Sequence, residues 1–468
     1  MAAVGRAPPA KGVDVTSGVG KILARLHPSA IRSMLRERRE LRSAIVNANW
    51  LVVGRLVYLF IGMVVGIWVT RYLGPERYGV LNYCIAFAAL FSVLSSLGLN
   101  FIVVRNLVQD PAHERETLGN AAIIKLVGAV VQIAVTTGAI LVIRGDEPDY
   151  ILFVVIAAAG YLFSTFEVID YWFQSRVAAK HVVLSNLFST ATISLFKIVL
   201  VLLVAPLTPF VWAIPAATFL YCVGLVISHR RVSGSWFTSW RIRASSMKSL
   251  LADAWPLSLS ALATVIYMKI DLVMIGEMLN EAAVGQYSVA VRLSEMWYFL
   301  PMFVSGSIFP AMLKLREKDR GLYYARLQTF FDGFFWFSAV VALGVTFVAR
   351  FVVVLLYGPE FAEAGAVLAV HIWSGVFVFM GVASSRHLVA ENLTKISFYR
   401  TIAGTISNVA LNLVFIPRFG IMGAAWATLI SYAISGWAAN AAFGETRRIF
   451  VMQLNSVNPV SLKRYLVG

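Results

Sequence analysis

The stretch NANWLVVGRLVYLFIGMVVGIWVT (47–70), RYLGPERYGV (71–80) and LNYCIAFAALFSVLSSLGLNFIVVR (81–105) decides the fold. Two apolar runs flank one Gly-Pro turn, and each exceeds the ~20 residues a helix needs to cross a bilayer. Helices on the surface of a soluble domain keep a polar stripe, and these runs have none. The one charge inside the first run is Arg55. A cation at that depth costs at least ~2.5 kcal/mol in lipid, so Arg55 is expected to face a polar interior.

The whole chain agrees. Of 468 residues 59% are hydrophobic and 14% charged, and the mean hydropathy is +0.76. This is the composition of an all-α integral membrane protein. Spans are expected at about 45–70, 78–104, 119–143, 150–173, 183–204, 208–228, 250–277, 284–311, 328–357, 364–390, 398–416 and 422–443, about 12 in all. The net charge of +16 would suggest nucleic acid in a soluble protein. Here most Lys and Arg fall in the even-numbered loops and the terminal segments. That asymmetry predicts both termini in the cytoplasm and no nucleic-acid partner.

The longest basic connection, 229–249, divides six spans (44–228) from six (250–443). Residues 1–43 form a basic extension, either a helix on the membrane surface or a disordered tail, and 444–468 a C-terminal tail. The halves echo each other: Leu73-Gly74-Pro75-Glu76-Arg77-Tyr78-Gly79 follows the first span and Leu279-Asn280-Glu281-Ala282-Ala283-Val284-Gly285 the seventh. Two six-helix bundles with a site at their interface is a transporter plan. A second Gly-Pro pair, Gly358-Pro359, also follows a span. Pro301 and Pro310 predict a kink in span 8. Cys84 and Cys222 lie inside apolar runs and read as core residues. There is no P-loop, dinucleotide fingerprint, nucleophile elbow or His/Cys cluster with metal spacing. Neither a cofactor, a metal nor enzymatic activity is expected, so transport would run on an ion gradient, the membrane potential or substrate flow.

Ionisable residues inside spans are the functional candidates. They are Arg55, Lys125, Glu167, Asp170, Lys197, Lys269, Asp271, Arg292, Glu295, Asp332 and Arg386. The functional reading is a cationic cavity for an anionic head group, with the acids tuning it or carrying a coupling ion. Lys125 is expected to snorkel to the surface. Arg292 and Glu295 share a helix face and have mutual neutralisation as the competing reading. Lys269 and Asp271 point to different faces, so one of them needs a partner on another helix. Arg386 lies near a span end, where snorkelling competes with a cavity role. Guanidinium groups suit phosphate oxygens and keep their charge when partly desolvated.

Over nearly the whole chain beyond residue 43 the sequence resembles the Wzx-type oligosaccharide flippases. These are the polysaccharide transporter branch of the superfamily that includes multidrug-and-toxin extruders and lipid II flippases. The resemblance runs through 54–83, 95–107, VIDYWFQSRVAAKHVVLSN (168–186), 266–312, LLYGPEFAEAGAVLAVHIW (355–373) and 399–435, in that order and spacing. It implies two six-helix lobes around a central cavity and alternating access. The implied cargo is a polyprenyl-diphosphate-linked oligosaccharide, crossing the bacterial plasma membrane for surface polysaccharide synthesis. The implied partners are that lipid-linked oligosaccharide, membrane lipids, and a polysaccharide polymerase with its chain-length regulator. Positions matching the pattern are Arg55, Asp271, Arg292 and Glu295. Arg55, Arg292, Lys269 and Arg386 are the substrate-binding candidates; Asp271, Glu295, Glu167 and Asp170 are the coupling or charge-pairing ones. The rival readings are an ion-coupled multidrug exporter of the same superfamily and a non-transporting scaffold for glycan assembly.

Overall fold

The computed structural model describes residues 28–459, with side chains described at 47 and from 49 onward. Every regular element among the described residues is helical. In chain order they are α1 Pro28–Leu90, α2 Val93–Ser96, α3 Leu99–Gln109, α4 Glu114–Arg144, α5 Pro148–Phe163, α6 Val168–Ser175, α7 Ala179–Leu202, α8 Leu207–Ser233, α9 Ala244–Met278 and α10 Glu281–Glu295. There follow α11 Phe299–Lys318, α12 Arg320–Tyr357, α13 Ala362–His371, α14 Ser374–Ala390, α15 Thr394–Ala433, α16 Ala439–Ala442 and α17 Arg447–Val457, with a π-helical turn at Ile434–Ala438.

Nine helices among the described residues are long and apolar enough to cross a membrane, or ten if the bent pair Pro359–His371 and Ser374–Ala390 is one span. The twelve crossings expected from sequence require two of these helices to be divided. Asn49–Leu90 and Thr394–Ala442 have 42 and 49 residues, about twice one crossing. Each is broken at a glycine with non-helical backbone, Gly74 at φ 70° and Gly420 at φ 59°. The kink expected in span 8 falls between α10 and α11, just before Pro301. Proline has no N–H for the preceding turn, so the helix lapses there. Large apolar side chains cover the outside: Val142 is 86% exposed and Phe347 81%. Such a surface suits lipid, not water.

The Gly-Pro turns gather at one end of the bundle. The Glu360 carboxylate lies beside Gly74, and Arg71 beside Gly358. The sequence echo is a reciprocal contact at this end: a Cβ on Gly79 would overlap the Glu281 carbonyl, and one on Gly285 the Pro75 carbonyl. The two lobes therefore press backbone to backbone here. The largest apolar cluster runs through the same seam, joining Leu73 and Tyr78 to Ile275, Val284, Tyr357 and Phe361.

Residues 1–27 and 460–468, parts of the two expected tails, lie outside the described residues. Helix α1 runs without a break from Pro28 into the first span. Residues 447–457 are a docked helix: Ile449 and Met452 pack with Tyr323, Leu327 and Phe331, and Gln328 donates to the Met452 carbonyl at 3.0 Å.

Candidate functional site: a cationic cavity beside a sealed seam

Arg55, Tyr58, Gly62, Val65, Gly66 and Val69 recur every three or four residues, so they share one face of α1. From Tyr58 onward this face lines a cavity of about 410 Å³, which α7, α8 and α10 complete with Lys197, Tyr221 and Arg292 among other residues. Arg292 starts on α10 and crosses to the other lobe. Its Nη2 donates to the Gly62 carbonyl at 2.6 Å and its Nη1 to the Tyr78 hydroxyl at 3.4 Å. Gly66 makes this possible, because a Cβ there would overlap the guanidinium. Glycines one turn apart on α1 thus form a seat for the arginine.

Lys197 lines the same cavity, so two cations share it. Neither cation makes an ion pair among the described residues. Glu167 also lines the cavity, but its Oε2 is taken by Lys125 Nζ at 2.9 Å. Lys125 is 1% exposed and donates again to the Tyr171 hydroxyl at 3.3 Å. It does not snorkel, contrary to expectation. An acid and a phenol within reach make the interior the better place for its amine than the surface. Asp170 accepts from Gln174 at 3.2 Å and from the Tyr221 hydroxyl at 3.3 Å. The N-lobe acids are therefore satisfied, and its cavity cations are not.

The other candidates fall elsewhere. Arg55 continues the cavity face of α1, exposed, 5.4 Å over the Tyr58 ring and without an ion pair among the described residues. Arg292 and Glu295 do not neutralise each other, since the guanidinium is committed to α1. The charge facing Glu295 is Lys269, which does not line the 410 Å³ cavity. Asp271, 6% exposed, accepts from Asn412 Nδ2 at 2.6 Å, from the Tyr287 hydroxyl at 3.0 Å and from Thr428. This is a closed polar knot linking α9, α10 and α15. Arg386 sits in a separate small cleft, its Nε donating to Ser305 at 3.3 Å with Phe309 beneath the guanidinium.

At the Gly-Pro end Arg144 ties the lobes together. Its Nε donates to Glu277 at 2.8 Å, its Nη1 to Glu281 at 3.3 Å and Glu147 at 3.4 Å, and its Nη2 to the Gly276 carbonyl at 2.8 Å. Tyr83 and Tyr150 flank its guanidinium and donate to Glu277 and Glu281. Sequence reasoning had left Arg144 in a loop. Lys197 was recognised as a membrane cation but not singled out, although its expected span, 183–204, like the span 45–70 of Arg55, contains no acid.

A two-lobed helical membrane protein, sealed at one end and carrying unneutralised cations in a cavity, has the form of a transporter. The family described as "Polysaccharide biosynthesis protein" matches residues 45–316, and the chain belongs to that family. Over 205 residues it is 28% identical to a probable flippase, AglR, of Haloferax volcanii, covering 43% of this chain and 42% of AglR. It is 21% identical over 370 residues to a putative O-antigen transporter of Shigella dysenteriae, covering 77% of this chain and 89% of that protein. The match spans about two-fifths of the length of the two Haloferax flippases it resembles. In fold it is similar to the lipid II flippase MurJ in an inward closed conformation, at TM-score 0.66, 14% identity and coverage of 88% of this chain and 91% of that one. It is also similar to an inward-facing MATE multidrug transporter at TM-score 0.63, 16% identity and coverage of 88% and 99%. The resemblance to Wzx-type flippases of this superfamily therefore holds.

Proposed function

We propose that the chain flips a polyprenyl-diphosphate-linked oligosaccharide from the cytoplasmic to the outer leaflet of the bacterial plasma membrane, for assembly of a surface polysaccharide. One observation carries this: Arg292 and Lys197 share a cavity with no carboxylate paired to either. Two like charges held inside a membrane protein are costly, and a diphosphate offsets that cost with charge-assisted hydrogen bonds. Arg55 extends the cationic face toward the open end, and Lys269 and Arg386 meet later parts of the cargo. The Arg144 seam closes the outer side while the head group loads. Both termini lie in the cytoplasm, and the polymerase with its chain-length regulator takes the product outside. Asp271 is the coupling group, since taking up a proton or cation would loosen the knot joining α9, α10 and α15. Glu295, Glu167 and Asp170 hold the charge balance of the helices.

The test is a strain whose own copy is deleted. Arg292→Ala should insert in the membrane normally, leave lipid-linked oligosaccharide stranded inside and abolish surface glycan. Normal glycan export by that variant would remove the cavity from the mechanism. A multidrug exporter needs an acidic or aromatic cavity for cationic drugs, and the acid in this one is already spent on Lys125. Dye efflux coupled to a sodium or proton gradient would favour that rival.

A further inference from the structure

A second chamber, of about 260 Å³, lies wholly in the other lobe. Its walls include Tyr267, Tyr298, Tyr432 and Phe377, with hydroxyls from Ser385 and Thr401. Tyr267 and Tyr432 are stacked, their centroids 4.5 Å apart. Among the described residues, the only charged one lining it is Arg400, at the start of the expected span 398–416.

Arg400 is 4% exposed, and its surroundings are built to hold it. The π-helical turn Ile434–Ala438 skips the regular hydrogen-bond ladder, which leaves carbonyls for a side chain. Arg400 Nε donates to the Ser435 carbonyl at 2.9 Å and Nη2 to the Gly436 carbonyl at 3.5 Å. Gly436 must lack a side chain, because a Cβ would overlap the Phe377 carbonyl. One end of the guanidinium, Nη1, is buried with no partner among the described residues. A buried guanidinium nitrogen left unsatisfied is expensive, and such an exception needs a reason.

We propose that this chamber is a glycan subsite that receives one pyranose ring bearing a carboxylate. The inference rests on the flippase reading and names which part of the cargo goes where. Aromatic faces accept the apolar face of a sugar ring, the hydroxyls meet its hydroxyls, and the guanidinium of Arg400, in the chamber wall, takes one carboxylate oxygen. The chamber is a poor diphosphate site, having one cation against the two of the other cavity. Residues of span 8 line both spaces: Arg292 lines one and Tyr298 the other, six residues apart in sequence on either side of the break.

The experiment uses the full chain in lipid nanodiscs and three probes: methyl β-glucuronide, methyl β-glucoside and farnesyl diphosphate. The glucuronide should bind at least about tenfold more tightly than the glucoside, the factor one charge-assisted hydrogen bond supplies. Arg400→Gln should erase that preference. Thr264→Trp, which fills the chamber from its wall without touching Arg400, should abolish binding of both sugars and spare farnesyl diphosphate. Arg292→Ala should do the reverse. Glucuronide binding that survives Thr264→Trp, or that is lost in Arg292→Ala alone, overturns the subsite. So does farnesyl diphosphate binding with no sugar binding at all. Failure of farnesyl diphosphate to bind overturns instead the flippase reading beneath it.

Discussion

Arg144 and Arg292 are both guanidinium groups that reach across the boundary between the lobes, and they live in opposite circumstances. Arg144 has three carboxylates, a carbonyl and two aromatic rings around it. Arg292 has one carbonyl and one hydroxyl, and it shares its cavity with another cation, Lys197. A neutralised arginine at a seam fastens two surfaces. An unneutralised one in a cavity is unfinished without an anion. The same residue type therefore serves closure at one place and recognition at the other.

The comparison can be broken most severely at Arg292. Losing two charge-assisted hydrogen bonds to a diphosphate should lower farnesyl diphosphate affinity about 100-fold or more in Arg292→Ala. The melting temperature should hold or rise, because a cation without a carboxylate partner has been removed from the membrane interior. A large loss of stability there would make Arg292 a structural tie like Arg144. Arg144→Ala should behave the opposite way. It strands Glu277 and Glu281 at a partly exposed seam and should destabilise the closed form by about 2–3 kcal/mol, read as a lower melting temperature in detergent, with diphosphate affinity nearly unchanged. Gly66→Ala sharpens the point further. It leaves the charge but spoils its seat, so affinity should fall about tenfold with little change in stability.

The smallest effect lies away from both sites. Glu391, in the turn after α14, is held below the usual carboxylate range by its hydrogen bonds from Arg316, at 2.6 and 2.8 Å. A lowered carboxyl contributes stability above its unfolded pKa and loses it as pH falls through the folded one. Acidification below about pH 5 should therefore cost no more than about 1 kcal/mol here. In Glu391→Gln the melting temperature should lose that part of its acid dependence. An identical acid limb in wild type and variant would show that the pair contributes nothing.

How much of this was legible in advance depends on how far apart the partners lie. Arg55 and Arg292 stood out because a cation in an apolar run is expensive wherever it points. The echo around Gly79 and Gly285 was visible as sequence, but its meaning was not. Only the fold brings Gly79 against Glu281 and Gly285 against Pro75. Lys125 was misjudged because Glu167 is 42 residues away. Arg144 was passed over because Glu277 is 133 residues away. Arg400 had no visible partner until the π turn, 35 residues on, supplied its carbonyl.

The amino-acid sequence by itself determined that the chain is a helical membrane protein with cations inside it. Backbone groups in lipid must be satisfied within their own helix, and apolar runs of this length leave no other arrangement. Which of those cations are neutralised was decided only by the tertiary structure. Charge pairing acts over a few ångströms, and the groups that meet at that range come from different helices, 133 residues apart in the case of Arg144 and Glu277.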